Sequence, residues 1–121
     1  MRFYISSNAQ YGGPDWQIPK GRVDEGENVQ QAGIREAVEE CGLVPENLKK
    51  DTIQIGWSGT ITGMDARYPL TIFIGEVIDP KNFVKPGFEA SKSGWLTLEQ
   101  FLSKGRRSQQ NIVKACASKI K

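Results

Sequence analysis

The stretch from Gly21 to Leu43 constrains this chain more than any other. It opens as a charged, glycine-bearing loop from Gly21 to Glu27 and continues into a segment marked at both ends. Asn28, with Gln31 three positions on, forms a capping box in which each side chain answers the other residue's free backbone N–H. Gly42 stands where a left-handed residue stops a helix. Between them, a turn of about 100° per residue sets Ile34, Ala37, Val38 and Cys41 along one apolar arc. The same turn sets Glu36, Glu39 and Glu40 on the opposite side. One flank of this helix must therefore be buried while the other gathers carboxylates, with Glu27 approaching from the amino-terminal end.

Two like charges one turn apart, as at Glu36 and Glu40, cost an isolated helix about 0.2–0.5 kcal/mol. Divalent cations between them would reverse the sign. Magnesium takes oxygen ligands in near-octahedral geometry and keeps several waters, so a few carboxylates together with substrate phosphates suit it. Arg35 can fix a glutamate through a bidentate pair. Taken alone, however, a run such as Arg35-Glu36-Ala37-Val38-Glu39-Glu40 is more often a solvated helix face than a site.

Composition removes most other chemistries. There is no histidine, so Ser-His-Asp and Cys-His nucleophiles and the common zinc sites are excluded. Any metal chemistry rests on oxygen ligands, which favour magnesium, manganese or calcium. With 121 residues, 38% of them hydrophobic, the chain has material for one modest core, and we expect a single domain over residues 1–121. No apolar run approaches the roughly 20 residues of a membrane span. Met1 to Ser6 show no long apolar h-region, so a secretory signal is not expected. Cys41 and Cys116 form no C-x-x-C pair, and a reducing cytoplasm is the expected setting. A net charge of +2 is too small to argue for nucleic acid by itself.

The remaining sequence predicts a mixed α/β domain. Arg2 to Ser6 reads as a strand, Ser7 to Asp15 as a loop, and Trp16 to Val23 as extended chain broken by Pro19 and Gly21. Thr52 to Ser58 alternates, placing Ile53, Ile55 and Trp57 on one face of a half-buried strand. Leu70 to Ile78 is apolar on both faces and reads as a central strand. Gly63 to Ala66 makes the turn between them. Lys81 to Ser93 reads as loop, followed by a short strand at Gly94 to Leu96. Thr97 and Gln100 cap a second helix that ends at Gly105, and Ile112, Val113, Cys116 and Ile120 mark a third from about Ser108.

The flanks of the carboxylate run decide its meaning. Gly21-x5-Glu27-x7-Arg35-Glu36-Ala37-x-Glu39-Glu40-x-Gly42-Leu43 resembles the Nudix hydrolase signature at every charged and glycine position. Such a match arises by chance about once in 10⁸ start positions at ordinary residue frequencies. Ala37, where a bulkier aliphatic is usual, is the one soft departure. Trp16-Gln17-Ile18-Pro19-Lys20-Gly21 looks like the strand and turn that lead into this box, and Gly94-Trp95-Leu96-Thr97 like the late strand before the closing helix. The resemblance implies the Nudix fold, an α/β (α+β) arrangement with a mixed sheet sandwiched between helices. Family members usually carry a further strand ahead of the segment at Phe3-Tyr4-Ile5, so the sheet is expected to lack its usual first strand. An exposed edge would favour pairing into a homodimer.

The resemblance also implies site roles. Glu36, Glu39 and Glu40 become ligands for Mg2+, with Mn2+ able to substitute. Glu27 contributes through water or a further ion, and the Lys20 carbonyl completes the shell. Arg35 orients a ligand carboxylate. The implied reaction is attack of an activated water on phosphorus, displacing a phosphate or nucleotide. The general base varies in the family; the candidates here are a helix glutamate such as Glu39, and Glu89 from the loop before Trp95, which otherwise reads as a simple exposed loop acid.

Substrate identity is less constrained. Pro19-Lys20-Gly21 resembles the dinucleoside polyphosphate hydrolases, where Lys20 would meet the extra phosphates as a point charge; otherwise it is an exposed turn lysine. Trp16, Tyr4, Tyr11, Trp57, Arg67 and Tyr68 are candidates to stack on a base, with Arg67 and Tyr68 ahead of Trp57, whose alternation with Ile53 and Ile55 reads as core. Glu76 either lines the pocket or marks an exposed strand end. The expected partner is a small-molecule nucleotide, with no membrane. Two rivals stand beside this reading: a nucleotide-binding module without turnover, and an RNA 5′-end pyrophosphohydrolase. Lys104, Arg106, Arg107, Lys114, Lys119 and Lys121 support the latter, though a solvated terminal helix explains them as well.

Overall fold

A computed structural model describes residues 3–9, 15–62, 66–84 and 90–119, with backbone alone for 3–9 and 90–92. In chain order the elements are β1 (Phe3–Ala9), β2 (Trp16–Gln17), α1 (Val29–Cys41), β3 (Leu48–Thr62), β4 (Arg67–Val77), β5 (Ala90–Thr97), α2 (Leu98–Lys104) and α3 (Arg107–Lys119). A single 3-10 turn, Pro45–Asn47, precedes β3. β1 lies between β2 and β5 in an antiparallel sheet, and β3 and β4 form a long antiparallel hairpin. A parallel bridge from Trp16 to Gly105 ties β2 to the α2–α3 junction. α1 touches β1, β4 and β5, while α3 packs on β3 and α2. The expected mixed α/β class with helices against sheet is what the chain adopts.

The core gathers where these elements meet. Leu96, Phe101 and Val113 form its centre, with Trp16, Ile18 and Leu98 packed against it. Ala32, Cys41, Leu43, Ile112 and Cys116 are also buried. Helices α2 and α3 supply much of this because their apolar positions recur at helical spacing. Both cysteines are buried and neither is in a disulfide, and desolvation pushes the Cys116 thiol above its ordinary pKa. Among the described residues no helix is long and apolar enough to cross a membrane.

Three sequence expectations need correction. First, β1 continues through Ala9 and β5 begins at Ala90, where a loop was expected on both sides. The two polar ends pair with each other, Ser7 with Ser93 and Asn8 with Lys92, so backbone ladder rather than apolar alternation extends both strands. Secondly, Ile53, Ile55 and Trp57 do not share a buried face. Ile55 is opposite Phe73 and Trp57 opposite Ile72, which leaves Gly56 as an extra residue and shifts the faces, as a β-bulge does. Ile55 is therefore exposed, and Gly56 is the buried position, lying against Cys116 of α3. Thirdly, β4 pairs only with β3 among the described residues, so it is no central strand. Its two apolar faces are explained by packing instead: Phe73 faces Gly33 of α1, and Leu70, Ile72 and Ile74 line an apolar cavity of about 400 Å³ with Ile34, Ile112 and Val113. The turn at 63–65, Ile120, and the loop centred on residues 85–89 lie outside the described residues.

Candidate active site

Helix α1 holds the carboxylates because both of its ends are locked. Asn28 Oδ1 accepts from Gln31 N at 2.8 Å, and Gln31 Oε1 accepts from Asn28 N at 2.9 Å. At the other end Gly42 adopts φ 74° and donates to the Val38 carbonyl at 3.1 Å. A Cβ at Gly42 would also collide with the Val84 carbonyl, so both backbone conformation and space require glycine there. Cys41 anchors the apolar side with no exposed surface.

The loop before α1 is organised by Glu27 and Arg35. Asp24 N donates to Glu27 Oε1 at 2.8 Å, closing the turn that contains Gly26. Arg35 then reaches back across the loop. Its Nε donates to Glu27 Oε2 at 2.8 Å, one terminal nitrogen donates to the Arg22 carbonyl at 2.7 Å, and the other to Glu36 Oε1 at 2.9 Å. Longer contacts of 3.4 Å run to Asp24 and Glu39. This hydrogen bond from Arg35, followed by the Asp24 backbone bond, holds the Glu27 carboxyl below the ordinary glutamate range. The arginine is raised still further above its usual value, chiefly by Glu27.

The two inner glutamates both lie against the segment that leads into the loop. Glu36, with a side chain only 13% exposed, lies against Gly21, where any Cβ would overlap its carboxylate. That close approach is the physical reason for glycine at the start of the signature. Glu40 Oε2 accepts from Lys20 N at 2.9 Å. The Lys20 side chain turns the other way, donating to Tyr68 Oη at 3.2 Å with its ammonium 5.6 Å from the Tyr68 ring centre. Glu39 is the outer member, its side chain 54% exposed.

Glu36 and Glu40 are thus not a solvated face. Arg35 faces Asp24, Glu27, Glu36 and Glu39 at once, a surplus of negative charge that one guanidinium cannot balance. Among the described residues no three acidic, cysteine or histidine side chains yet converge on a common point. The donor set nonetheless fits hard divalent cations: every candidate ligand is an oxygen, and the excess charge has the sign that draws one in.

The sequence-predicted residues fall into three groups. Glu27, Arg35, Glu36, Glu39, Glu40 and Lys20 come together, and Tyr68 joins them through Lys20. Arg67 is exposed at the start of β4 and lines neither cavity. Trp16 packs on the core cluster, and Trp57 is half-buried over Gly59 of its own strand. Glu76 marks an exposed strand end, 3.5 Å from Lys49. Tyr4 occupies β1 opposite Leu96, its side chain outside the description, and Glu89 and Tyr11 lie outside the described residues. Sequence reasoning missed Gln109, which is 1% exposed and accepts from Ile18 N at 2.8 Å. The signal was available: position 109 precedes Ile112, Val113 and Cys116 by three, four and seven residues, so it shares their buried face.

The acidic loop and helix, carried between the sheet and the hairpin, thus gather the charged residues of the signature on one surface of an α/β fold. The NUDIX domain family model matches residues 3–116, and the chain belongs to that family. Among curated relatives, the RNA pyrophosphohydrolase of Wolbachia pipientis wMel is 37% identical over 50% of this chain and 45% of its own length. That of Shewanella loihica is 46% identical over 40% of this chain and 28% of its own. The chain thus spans less than half the length of these relatives. Among solved structures, an Ap4A hydrolase of C. elegans in a binary complex superposes with TM-score 0.77 at 21% identity, covering 96% of this chain and 84% of the other. A NUDIX hydrolase of Nitrosomonas europaea gives TM-score 0.75 at 19% identity, covering 96% and 80%. These likenesses establish the fold.

Proposed function

We propose that this chain is a Mg2+-dependent pyrophosphohydrolase that cleaves a phosphoanhydride bond in a nucleotide carrying a polyphosphate chain. The observation that carries this reading is the Arg35-centred cluster, in which the complete signature set is folded onto one loop–helix surface. Glu36, Glu39 and Glu40 are the residues to hold the ions, with Glu27 behind them and the Lys20 carbonyl beside Glu40. Bound there, divalent cations would supply the charge that neutralises the polyphosphate and acidifies the attacking water. The protein's own part is positioning. Arg35 favours the ionised form of Glu27 and holds the Glu36 carboxylate in place, Gly21 lets Glu36 lie against the loop, and Lys20 N–H sets the Glu40 carboxylate. Glu39, exposed and held by a long contact to Arg35, is the helix candidate for the general base, with Glu89 as the loop alternative.

Lys20 and Tyr68 extend the surface toward further phosphates and a base. A dinucleoside polyphosphate suits that extension. The curated relatives named as RNA pyrophosphohydrolases favour a second substrate of the same chemistry, the 5′-triphosphate end of RNA. A reducing, cytoplasmic setting accords with two buried cysteines outside any disulfide.

The test is product analysis on nucleoside triphosphates, dinucleoside polyphosphates, ADP-ribose and 5′-triphosphorylated RNA, with magnesium, manganese or EDTA. Metal-dependent cleavage of one class supports the reading and identifies the substrate. Cleavage that persists in EDTA contradicts it, and binding of a nucleotide without cleavage in any metal makes the chain a binding module.

A further inference from the structure

The last turn of α1, which carries Glu39 and Glu40, ends against a strap of chain, residues 78–84, between β4 and β5. Carbonyls at a helix carboxy terminus have no partner inside the helix, so whatever answers them decides where that turn sits. Here Val84 N donates to the Gly42 carbonyl at 2.9 Å. Ser93 Oγ of β5 donates to the Cys41 carbonyl at 3.3 Å. Leu43 and Phe83 pair as an antiparallel bridge, and the strap lies close enough that a Cβ at Gly42 would overlap the Val84 carbonyl.

Burial does not hold the strap in place, because residues 78–82 and Val84 are exposed and Phe83 alone is half-buried. Hydrogen bonds from two side chains hold it instead. Asn47, only 3% exposed, donates from Nδ2 to the Asp79 carbonyl at 2.8 Å and the Asn82 carbonyl at 3.0 Å. Its Oδ1 accepts from Asp79 N at 2.8 Å. Both amide donors and the acceptor are therefore spent on one short segment, which fixes its shape. Trp95 Nε1 donates to the Pro80 carbonyl at 2.9 Å, and its ring meets Phe83 edge-on at 5.5 Å.

We propose that Asn47 and Trp95 are positioning residues for Glu40, acting through the strap and the stop of α1 at Gly42. The inference rests on the reading of Glu40 as a ligand for a divalent cation. Glu40 stands two residues before Gly42, and its carboxylate is tied on the other side to Lys20 N at 2.9 Å. The entry to the loop thus sets the carboxylate, while the strap sets the turn of backbone that carries it. Magnesium demands near-ideal octahedral geometry, so a last turn that has lost its outer bonds presents Glu40 less well. Residues that orient a ligand without touching the ion change metal affinity about 10–100-fold when replaced.

The experiment is titration with Mn2+ in the absence of substrate, the free ion being read by electron paramagnetic resonance, with melting temperatures measured alongside. Asn47→Asp keeps the size of the side chain and an acceptor for Asp79 N–H but donates to neither carbonyl. Trp95→Phe keeps a ring against Phe83 and removes the indole donor; it decides the matter alone if Asn47→Asp does not fold. Thr97→Ala, which removes the cap of α2, serves as the control for a general loss of stability. Each strap variant is expected to bind Mn2+ about tenfold more weakly, and Thr97→Ala to bind it as the unaltered protein does. Unchanged affinity in the strap variants overturns the proposal, as does an equal loss in Thr97→Ala. Glu40→Gln separates the two readings. If it loses Mn2+ while the strap variants keep it, the positioning role falls and the ligand stands. If it binds Mn2+ as the unaltered protein does, the ligand assignment falls and the proposal with it.

Discussion

The two sides of Lys20 are opposites. On one, Glu27, Glu36, Glu39 and Glu40 offer acceptors in excess of the single Arg35; on the other, Lys20, Arg106, Ser108 and Gln109 offer donors with no carboxylate among them. The acidic side is assembled from residues within about one loop and one helix, held by short-range bonds such as Arg35 to Glu27, eight positions apart. The donor side is assembled across the chain, with Gln109 joined to Ile18 over 91 positions. Each side is electrostatically incomplete alone. The acidic side has the sign of charge that attracts cations, and the donor side the sign that attracts anions.

The contrast can be broken from either side. The largest effect is expected from Gly21→Ala. The new methyl group must displace the Glu36 carboxylate, and a misplacement of about 1 Å costs roughly 100-fold in turnover. Steady-state kinetics at saturating magnesium checks this, and unaltered kcat would show that Glu36 need not lie against the loop. Lys20→Ala is expected next. It should raise KM about tenfold for polyphosphate substrates, as loss of one charged hydrogen bond does, and less for sugar-linked diphosphates. Equal losses on both would remove Lys20 from substrate selection.

The smallest effect concerns acid. Arg35 holds the Glu27 carboxyl below its ordinary value of 4.5, so the folded state binds this proton more weakly than the unfolded one. The stabilisation is present above pH 4.5 and fades as pH falls through the lowered folded value. Melting temperatures measured from about pH 6 down to about pH 3 should decline, and Glu27→Gln should flatten part of that decline. An identical acid limb in the variant would show that the Arg35–Glu27 pair adds no net stability, a frequent outcome for exposed pairs.

Legibility in the sequence followed the same division. α1 was readable to the residue because its capping box, its arc of apolar positions and Gly42 are all local features. The same holds for α2 between Thr97 and Gly105. β3 was misread because a bulge at Gly56 depends on its partner strand and on Cys116 of α3, and alternation assumes no such insertion. β4 was misplaced because an apolar run does not say whether strands or helices cover it. Around the site, the signature residues assembled as their spacing implied, and Lys20 met Tyr68 as a long-range contact that only the fold could supply. Gln109 was overlooked because a glutamine reads as solvent-facing until its helical phase is compared with Ile112, Val113 and Cys116.

The central claim is that the α1 carboxylates make a divalent-cation site on which phosphoanhydride cleavage depends. Its most direct test is turnover against free magnesium for the unaltered protein and Glu40→Gln, on whichever nucleotide the product analysis identifies. The account predicts a saturable rise with magnesium, abolished by EDTA. It predicts a fall of about 10²–10³-fold in kcat for Glu40→Gln, with the melting temperature retained because the substitution removes charge without removing bulk. A Glu40→Gln protein that turns over at the unaltered rate, or cleavage indifferent to magnesium, would contradict it.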